Sequence, residues 1–461
     1  MIEAASFLAA FLIMPVIWVY MLSHASINLF RISIPGILIL SIFIFQYIGF
    51  PIIFFEVDDL RALTIHDQKI IWKIFAGSVV TITLLIAGFI LGRRFFGPLH
   101  SELCTTSLSA DDRAANVSDR LFVTIFVIAA IIGLIFYIKI VELPNVALLA
   151  ALGLVDTDHS IHVLRSAMGN SFPGKYHWYK FVMRDCLQIA TLALFADYLI
   201  SKNRYVLLFF LISFLLILFS TTMTTEKAPV LWFFVSMVMM FCIVRRDRYI
   251  PKRIIFLSFL FLVFALIVVY FFFSDFQDDS FKFGAERAIS RILTGQMSGL
   301  YHYVEIFPEQ IDFLNGRSLP NPGGIFPWEP YRLSFEVQNI VNPNFKDRGI
   351  IGSMPTFFWG QMYANFGYLG VLLPPAIIGF FLYFLDRFLL QLPQSPLNLS
   401  FFIWFTLHYR LLTATGLGAF IIDANFIIVM SALGLSLFLR LGPVMLFPGY
   451  WKRVISDLRS S

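Results

Sequence analysis

The sequence predicts an all-α polytopic membrane protein of about eleven transmembrane helices with one large external loop. Three observations carry that expectation. The first is composition. Of 461 residues, 59% are hydrophobic and only 14% charged, and phenylalanine alone supplies 54; soluble domains run closer to half apolar and about a quarter charged. The mean hydropathy is +0.80, and a soluble fold has no interior able to hide that much apolar surface. The second is the recurrence of apolar stretches of about 20 residues, the length that crosses a hydrocarbon core. The third is the placement of basic clusters at alternate connections. Together they exclude a cytosolic enzyme, a secreted disulfide scaffold and a disordered chain.

The spans are placed near 3–23, 33–55, 72–92, 121–141, 185–200, 205–222, 229–244, 254–273, 366–385, 401–421 and 424–444. The first stretch lacks a basic leader and a small-residue cleavage site, so it is expected to be a retained span. Lys and Arg in short loops set the orientation. Arg93-Arg94, Lys202 with Arg204, the group Arg245, Arg246, Arg248, Lys252 and Arg253, and Lys452, Arg453 and Arg459 all fall on the cytoplasmic side when the spans number eleven. An even number breaks this agreement. The formal charge of +5, from 34 Lys and Arg against 29 Asp and Glu, is then a membrane topology signal, and no nucleic-acid partner is expected. Cys104, Cys186 and Cys242 have no metal-like spacing, so neither a disulfide nor a metal site is expected.

The connections sort into three blocks. Residues 1–273 carry eight helices, with a cytoplasmic loop at 93–120 and external loops at 56–70 and 142–184. Residues 274–365 form the large external loop, whose Pro320, Pro322, Gly323, Gly324, Pro327 and Pro330 dictate turns and irregular backbone. Residues 366–461 carry the last three helices and a cytoplasmic tail. No repeat relates the halves, as many transporters require.

Nucleotide-binding and metalloprotease motifs are missing: there is no GxxxxGK[ST], no GxGxxG after a strand, no HExxH and no CxxC. Nor do acidic residues line successive spans as in a proton pump. What remains is a set of cations and polar groups at external span ends. Lys227 lies in the polar turn Thr221–Pro229, at a helix start suited to phosphate, or snorkels at the interface. Arg410 and His408 lie inside the tenth span, where a charge costs about 2.5–3.5 kcal/mol on insertion scales. Arg410 therefore needs a wet cavity or a partner such as Asp386 or Asp423. Two residues apart, His408 and Arg410 face opposite sides of a helix unless it breaks, as Thr413–Gly416 would permit. Arg287 and Arg291 are four apart on an expected interfacial amphipathic helix, presenting guanidiniums that fork onto phosphate or onto headgroups. His302 and Glu305 follow as candidate general bases, with His408 as a third. Segment 162–184 is basic although external; Arg184, which leads into a span, is its best candidate for an anionic lipid-linked substrate.

This arrangement resembles the Wzy-type O-antigen polymerases, the oligosaccharide repeat-unit polymerases of bacterial inner membranes. The resemblance rests on the polar turn Thr222–Pro229, where Lys227 stands in place of the usual Arg, and on Pro322–Pro327. It also rests on the stretch Gly352–Gly370, similar to Gly-x-x-Tyr-x-Asn-Phe-Gly-x-x-Gly before a span, and on the intramembrane Arg410. Lysine at 227 keeps the charge and loses the bidentate fork.

The resemblance implies a fold likened to GT-C glycosyltransferases, a large periplasmic loop, and an active site on the periplasmic face of the inner membrane. It implies transfer of a glycan from undecaprenyl diphosphate onto a hydroxyl of the next lipid-linked repeat unit, in O-antigen, capsule or exopolysaccharide synthesis. No cofactor is expected, because the leaving group is already a diphosphate. Arg184, Lys227, Arg287, Arg291 and Arg410 are the expected diphosphate ligands. His302, Glu305 or His408 would take the acceptor proton, and Tyr363 and Asn365 would bind sugar. The partners are the lipid-linked oligosaccharide and membrane lipid, with a chain-length regulator left open. An O-antigen ligase with a lipid A core acceptor and a flippase or transporter for lipid-linked sugars are the alternatives.

Overall fold

The computed structural model describes residues 2–62, 64–99, 117–155, 161–169, 172, 175–254, 256, 257, 260, 289–321, 324–344, 352–418 and 423–446. Every regular element among them is helical, and the one β-type contact is an isolated antiparallel bridge between Arg31 and Tyr249. Among the described residues seven helices are long and apolar enough to cross a membrane: Glu3–His24, Ile34–Phe54, Gln68–Phe96, Val117–Val141, Arg204–Thr222, Ala228–Arg246 and Tyr368–Gln391. The chain is therefore an all-α, multi-pass membrane protein, as its composition predicts.

The remaining expected spans take other forms. The stretch at 185–200 becomes the helix Leu187–Ser201, which continues unbroken from Tyr176–Lys180 through a π-helical turn at Phe181–Cys186. The stretch at 401–421 becomes the helix Pro396–Tyr409 followed by a 3-10 turn at Arg410–Thr413. The last helix is Ala424–Leu446, apolar over Ala424–Arg440. The stretch at 254–273 lies mostly outside the described residues.

The chain divides into two compact units. The first comprises Met1–Ser107, Arg245–Leu392 and Phe405–Ile422. Its backbone is the pair Gln68–Phe96 and Tyr368–Gln391, which meet through small residues. A methyl group added to Gly88 would lie 2.2 Å from the Ala376 carbonyl oxygen, and one on Gly379 would lie 2.1 Å from that of Leu85. Gly92, one turn on, leaves room for the Tyr383 side chain, whose Cβ would lie 2.7 Å from an added methyl group. In lipid, where no hydrophobic force draws helices together, such close backbone approach supplies the packing energy.

Hydrogen bonds gather the helix ends of this unit. At one end the Arg93 guanidinium donates to the His24 carbonyl, the Tyr383 hydroxyl to Gly97 (2.9 Å) and Arg387 to Pro98 (2.9 Å). There too the buried Asp386 carboxylate accepts from the Ile34 amide (2.7 Å), beside the Ser33 cap of that helix. The Arg31–Tyr249 bridge and an Arg31–Asp247 ion pair (2.8 Å) lie next in sequence to this end. At the other end the Trp72 indole donates to Glu3 (3.0 Å), and Phe7 stacks on Phe54 (3.9 Å between centroids).

The second unit comprises Leu108–Val244, Pro393–Trp404 and Asp423–Ser461. The helix Leu187–Ser201 packs between Val117–Val141 and Arg204–Thr222. Lys202, with a left-handed φ of 56°, ends it, and Asn203 caps the next helix by accepting from the Tyr205 amide (2.9 Å). At the opposite end the Tyr137 hydroxyl donates to the Met168 carbonyl (2.6 Å), and Leu148 donates its amide to Met223 (3.1 Å).

Candidate functional site

The first unit assembles a compact cationic cluster from two segments far apart in sequence. The short connection after Ile34–Phe54 is pinned at both ends. The Thr294 hydroxyl donates to Asp58 (2.6 Å), and the Asp67 amide donates to the Tyr301 hydroxyl (3.2 Å). Arg61 lies between these two pins, on a single helical turn, Asp59–Ala62. Facing it, Ile289–Leu293 is helical and presents Arg291, and the helix Gly295–Ile306 follows at once. Both arginines flank Gly295: a methyl group there would sit 3.8 Å from Arg291 Cγ and 3.9 Å from Arg61 Nη2.

Burial lowers the Arg61 pKa; Asp58 works against this, and the like charge of Arg291 adds to it. Two guanidiniums so placed offer an anion fork-shaped donors, while the Asp58 carboxylate, which accepts from Thr294, offsets part of their charge. Arg61 Nε is buried and has no protein partner.

His302 and Glu305 belong to the same helix and touch. Nδ1 of the buried imidazole lies 2.8 Å from Glu305 Oε2, the distance at which a carboxylate fixes ring orientation and tautomer. That leaves Nε2, which is buried and has no protein partner. Burial holds the imidazole below its ordinary value; Glu305 pulls it up by hydrogen bond and charge, and Arg61 pushes it down. The neutral form therefore prevails at pH 7, with Nε2 competent to accept a proton. Of the three expected bases, His302 and Glu305 form one hydrogen-bonded pair.

The second unit places Arg184 against the polar turn singled out for Lys227. Its guanidinium donates to Glu226 Oε2 (2.8 Å) and to the Thr224 hydroxyl (2.8 Å) and is almost wholly buried. Burial alone would raise the Glu226 carboxyl, yet Arg184, with help from Lys180 and Arg165, holds it below the ordinary carboxylate value. The side chain of Lys227 and the whole of Arg287 lie outside the described residues.

His408 ends the helix Pro396–Tyr409, and Arg410 opens the 3-10 turn. The helix gives way at Arg410 itself, ahead of Thr413–Gly416, the stretch that would permit a break. Asn365 is fully buried. Its side-chain nitrogen donates to the Ser318 hydroxyl (2.6 Å) and the Gln361 carbonyl (2.7 Å), and its oxygen accepts from the Gly316 amide (3.0 Å). In this state the amide staples loop 314–318 to the helix Phe358–Phe366. Tyr363 is buried beside it, its ring edge-on to Phe313.

The structure thus pairs His302 with Glu305, sets Arg61 close to Arg291 and within electrostatic reach of His302, and separately joins Arg184 to the Lys227 turn. Sequence reasoning passed over Arg61, Asp58 and Thr294. Their signal was the charged run Asp58-Asp59-Leu60-Arg61 in a short connection between two apolar helices. Among the described residues no group of three His, Cys, Asp or Glu side chains is placed to hold a metal ion. Comparison of the chain with known protein families, with characterised proteins and with solved structures gave no match.

Proposed function

We propose that this protein is a glycosyltransferase that joins undecaprenyl-diphosphate-linked oligosaccharide repeat units at the periplasmic face of the bacterial inner membrane, as an O-antigen or related polysaccharide polymerase. The observation that carries the reading is the Arg61–Arg291 pair beside the His302–Glu305 dyad. The acceptor hydroxyl gives its proton to His302 Nε2, and its oxygen bonds to the anomeric carbon. The bond from that carbon to the diphosphate breaks, and the departing charge falls to the two guanidiniums. Arg287 and Arg410 are further cations for the lipid diphosphate.

Chain path supports an eleven-span topology. Residues 97 and 247 belong to the end of the first unit where helix Gln68–Phe96 finishes. The chain between them therefore crosses an even number of times. Val117–Val141, Arg204–Thr222 and Ala228–Arg246 make three, so the continuous helix from Tyr176 to Ser201 supplies the fourth. Thr294 lies at the opposite end, beside Asp58; the expected span at 254–273 lies mostly outside the described residues. The Leu417 amide bonds to Gln361 near the start of helix Tyr368–Gln391 (2.6 Å), so Pro396–Thr413 also crosses. The positive-inside rule then puts the candidate site outside.

The test is polymer formation in membranes supplied with lipid-linked repeat units at the outer face. Arg61→Gln and Arg291→Gln should each leave protein level unchanged and abolish the ladder, with single units persisting. A normal ladder in both variants overturns the assignment. Transfer of units only onto lipid A core by the wild type makes the protein a ligase, and substrate trapped inside makes it a transporter.

A further inference from the structure

The Pro- and Gly-rich stretch of the large external loop has no place in the chemistry above. Its described residues, 317–321 and 324–331, show a fixed neck and an apolar tip. The neck is tied by the Tyr331 amide donating to the Arg317 carbonyl (2.8 Å), and by the Arg317 guanidinium lying over the Tyr331 ring (5.9 Å). Below it, Asn365 and Gln361 hold residues 316 and 318. Within the loop, Asn321 accepts from the Phe326 amide (2.9 Å) and donates to the Phe326 and Trp328 carbonyls. Phe326 stacks flat on Trp328, 4.7 Å between centroids at 8°. So braced, the tip presents Ile325, 76% exposed, and Phe326, 41% exposed.

An ordered apolar tip held in water is costly. Its surroundings indicate what covers it. Trp328 and Phe366 flank Gly316, where a methyl group would lie 3.9 Å from one ring and 3.6 Å from the other. Phe366 precedes the transmembrane helix Tyr368–Gln391, whose first turns expose Tyr368, Leu369, Leu372 and Leu373, the last of these 62% exposed. The exposed apolar surface of that span therefore continues through Phe366 and the Trp328–Phe326 stack to the tip. No Lys or Arg lies in 318–331, and Glu329 is the single charged residue there, so the attraction is apolar and not electrostatic. Aromatic residues at this level match the interface belt of membrane proteins.

We infer that the loop 317–331 is an interfacial anchor: Ile325 and Phe326 insert into the outer edge of the bilayer beside helix Tyr368–Gln391. Apolar insertions of this kind reach about 5–10 Å into the headgroup and acyl boundary. The anchor fixes the height of the external segment, through Asn365 and Gln361, relative to the membrane. The inference rests on the membrane-spanning helix alone and stands apart from the glycosyl-transfer reading.

The test places an environment-sensitive fluorophore at Ile325→Cys in the full-length protein carrying Cys104→Ser, in lipid nanodiscs; Cys186 and Cys242 are buried and leave the parent as the labelling blank. A matched label at Glu309→Cys, exposed in the same external segment, is the aqueous reference. The expected result is blue-shifted emission at position 325, quenched by lipids bearing a nitroxide near the top of the acyl chain, with position 309 unaffected. Equal, water-like emission at both positions overturns the inference. Emission at 325 that ignores the nitroxide lipid and shifts only on adding oligosaccharide also overturns it, in favour of a sugar platform.

Discussion

Gly379→Ala should destabilise the first unit by an amount set by the helix crossing. At that crossing an added methyl group would meet the Leu85 carbonyl oxygen at 2.1 Å and the Gly88 Cα at 3.2 Å. Non-bonded contact distances begin near about 3.5 Å, so the helices Gln68–Phe96 and Tyr368–Gln391 must part by roughly 1 Å or more. Both obstructing atoms are backbone, so no side chain can turn aside. Overpacking a filled interior costs about 1–3 kcal/mol, and the absence of a movable neighbour puts this substitution at the upper end. Gly434→Ala is the matched control. It also lies inside a long apolar helix, with nothing within 4 Å of the new methyl group, so helix propensity alone acts and favours alanine by about 0.5–1 kcal/mol. Heating both purified variants in one detergent and measuring the fraction that stays monodisperse gives the order. The reasoning predicts Gly379→Ala well below wild type and Gly434→Ala at or slightly above it. A Gly379→Ala protein as stable as wild type would refute the close-packed crossing, as would an equal loss in Gly434→Ala.

Two further predictions concern the ionisable groups. Glu226→Gln strands the buried Arg184 charge; breaking a buried pair costs about 3–5 kcal/mol, and the partial exposure of Glu226 places this case at the lower end, as thermal unfolding will measure. In wild type the same pair links stability to pH: the depressed Glu226 carboxyl contributes stability above its unfolded value, and this contribution is lost as pH falls through the folded one. A Glu226→Gln protein should lack that acid-side decline. Glu305→Gln removes the group that raises His302, so the acid limb of the activity profile should move to lower pH while the plateau falls by about 10²-fold or more; an acid limb that stays in place or moves upward would deny His302 the role of base.

Much of the architecture was legible because hydropathy and charge are local signals. Apolar length located the seven membrane-crossing helices, and the basic runs at Arg93-Arg94 and Arg245–Arg253 marked helix ends that the Tyr383–Gly97 and Arg31–Asp247 contacts gather on one side of the first unit. The Gly88-x-x-x-Gly92 pattern was equally open to reading, as the small-residue face on which helices approach in lipid. Pairing across long separations was less open. Nothing near Arg184 announces Glu226, 42 positions on, and nothing near Arg291 announces Arg61, because the Asp58–Thr294 bond that joins them spans 236 positions. Asn365 illustrates the opposite difficulty: a polar residue in an aromatic stretch suggests a sugar contact, and only the folded loop 314–318 shows how many of its hydrogen bonds are made within the chain. Thr413–Gly416 marks a place where the helix is permitted to break, and the helix Pro396–Tyr409 passes into a 3-10 turn just before it, at Arg410–Thr413.

The central claim is that external residues of this chain transfer a glycan from a lipid diphosphate without a metal. The most direct measurement supplies purified wild-type protein in EDTA with lipid-linked repeat units as the sole substrate, and follows glycan length and free undecaprenyl diphosphate together. The glycan should lengthen with one lipid diphosphate released for each bond formed, and neither product should appear when His302 is replaced by alanine. Intact repeat units in the wild-type reaction, with no diphosphate released, would contradict it.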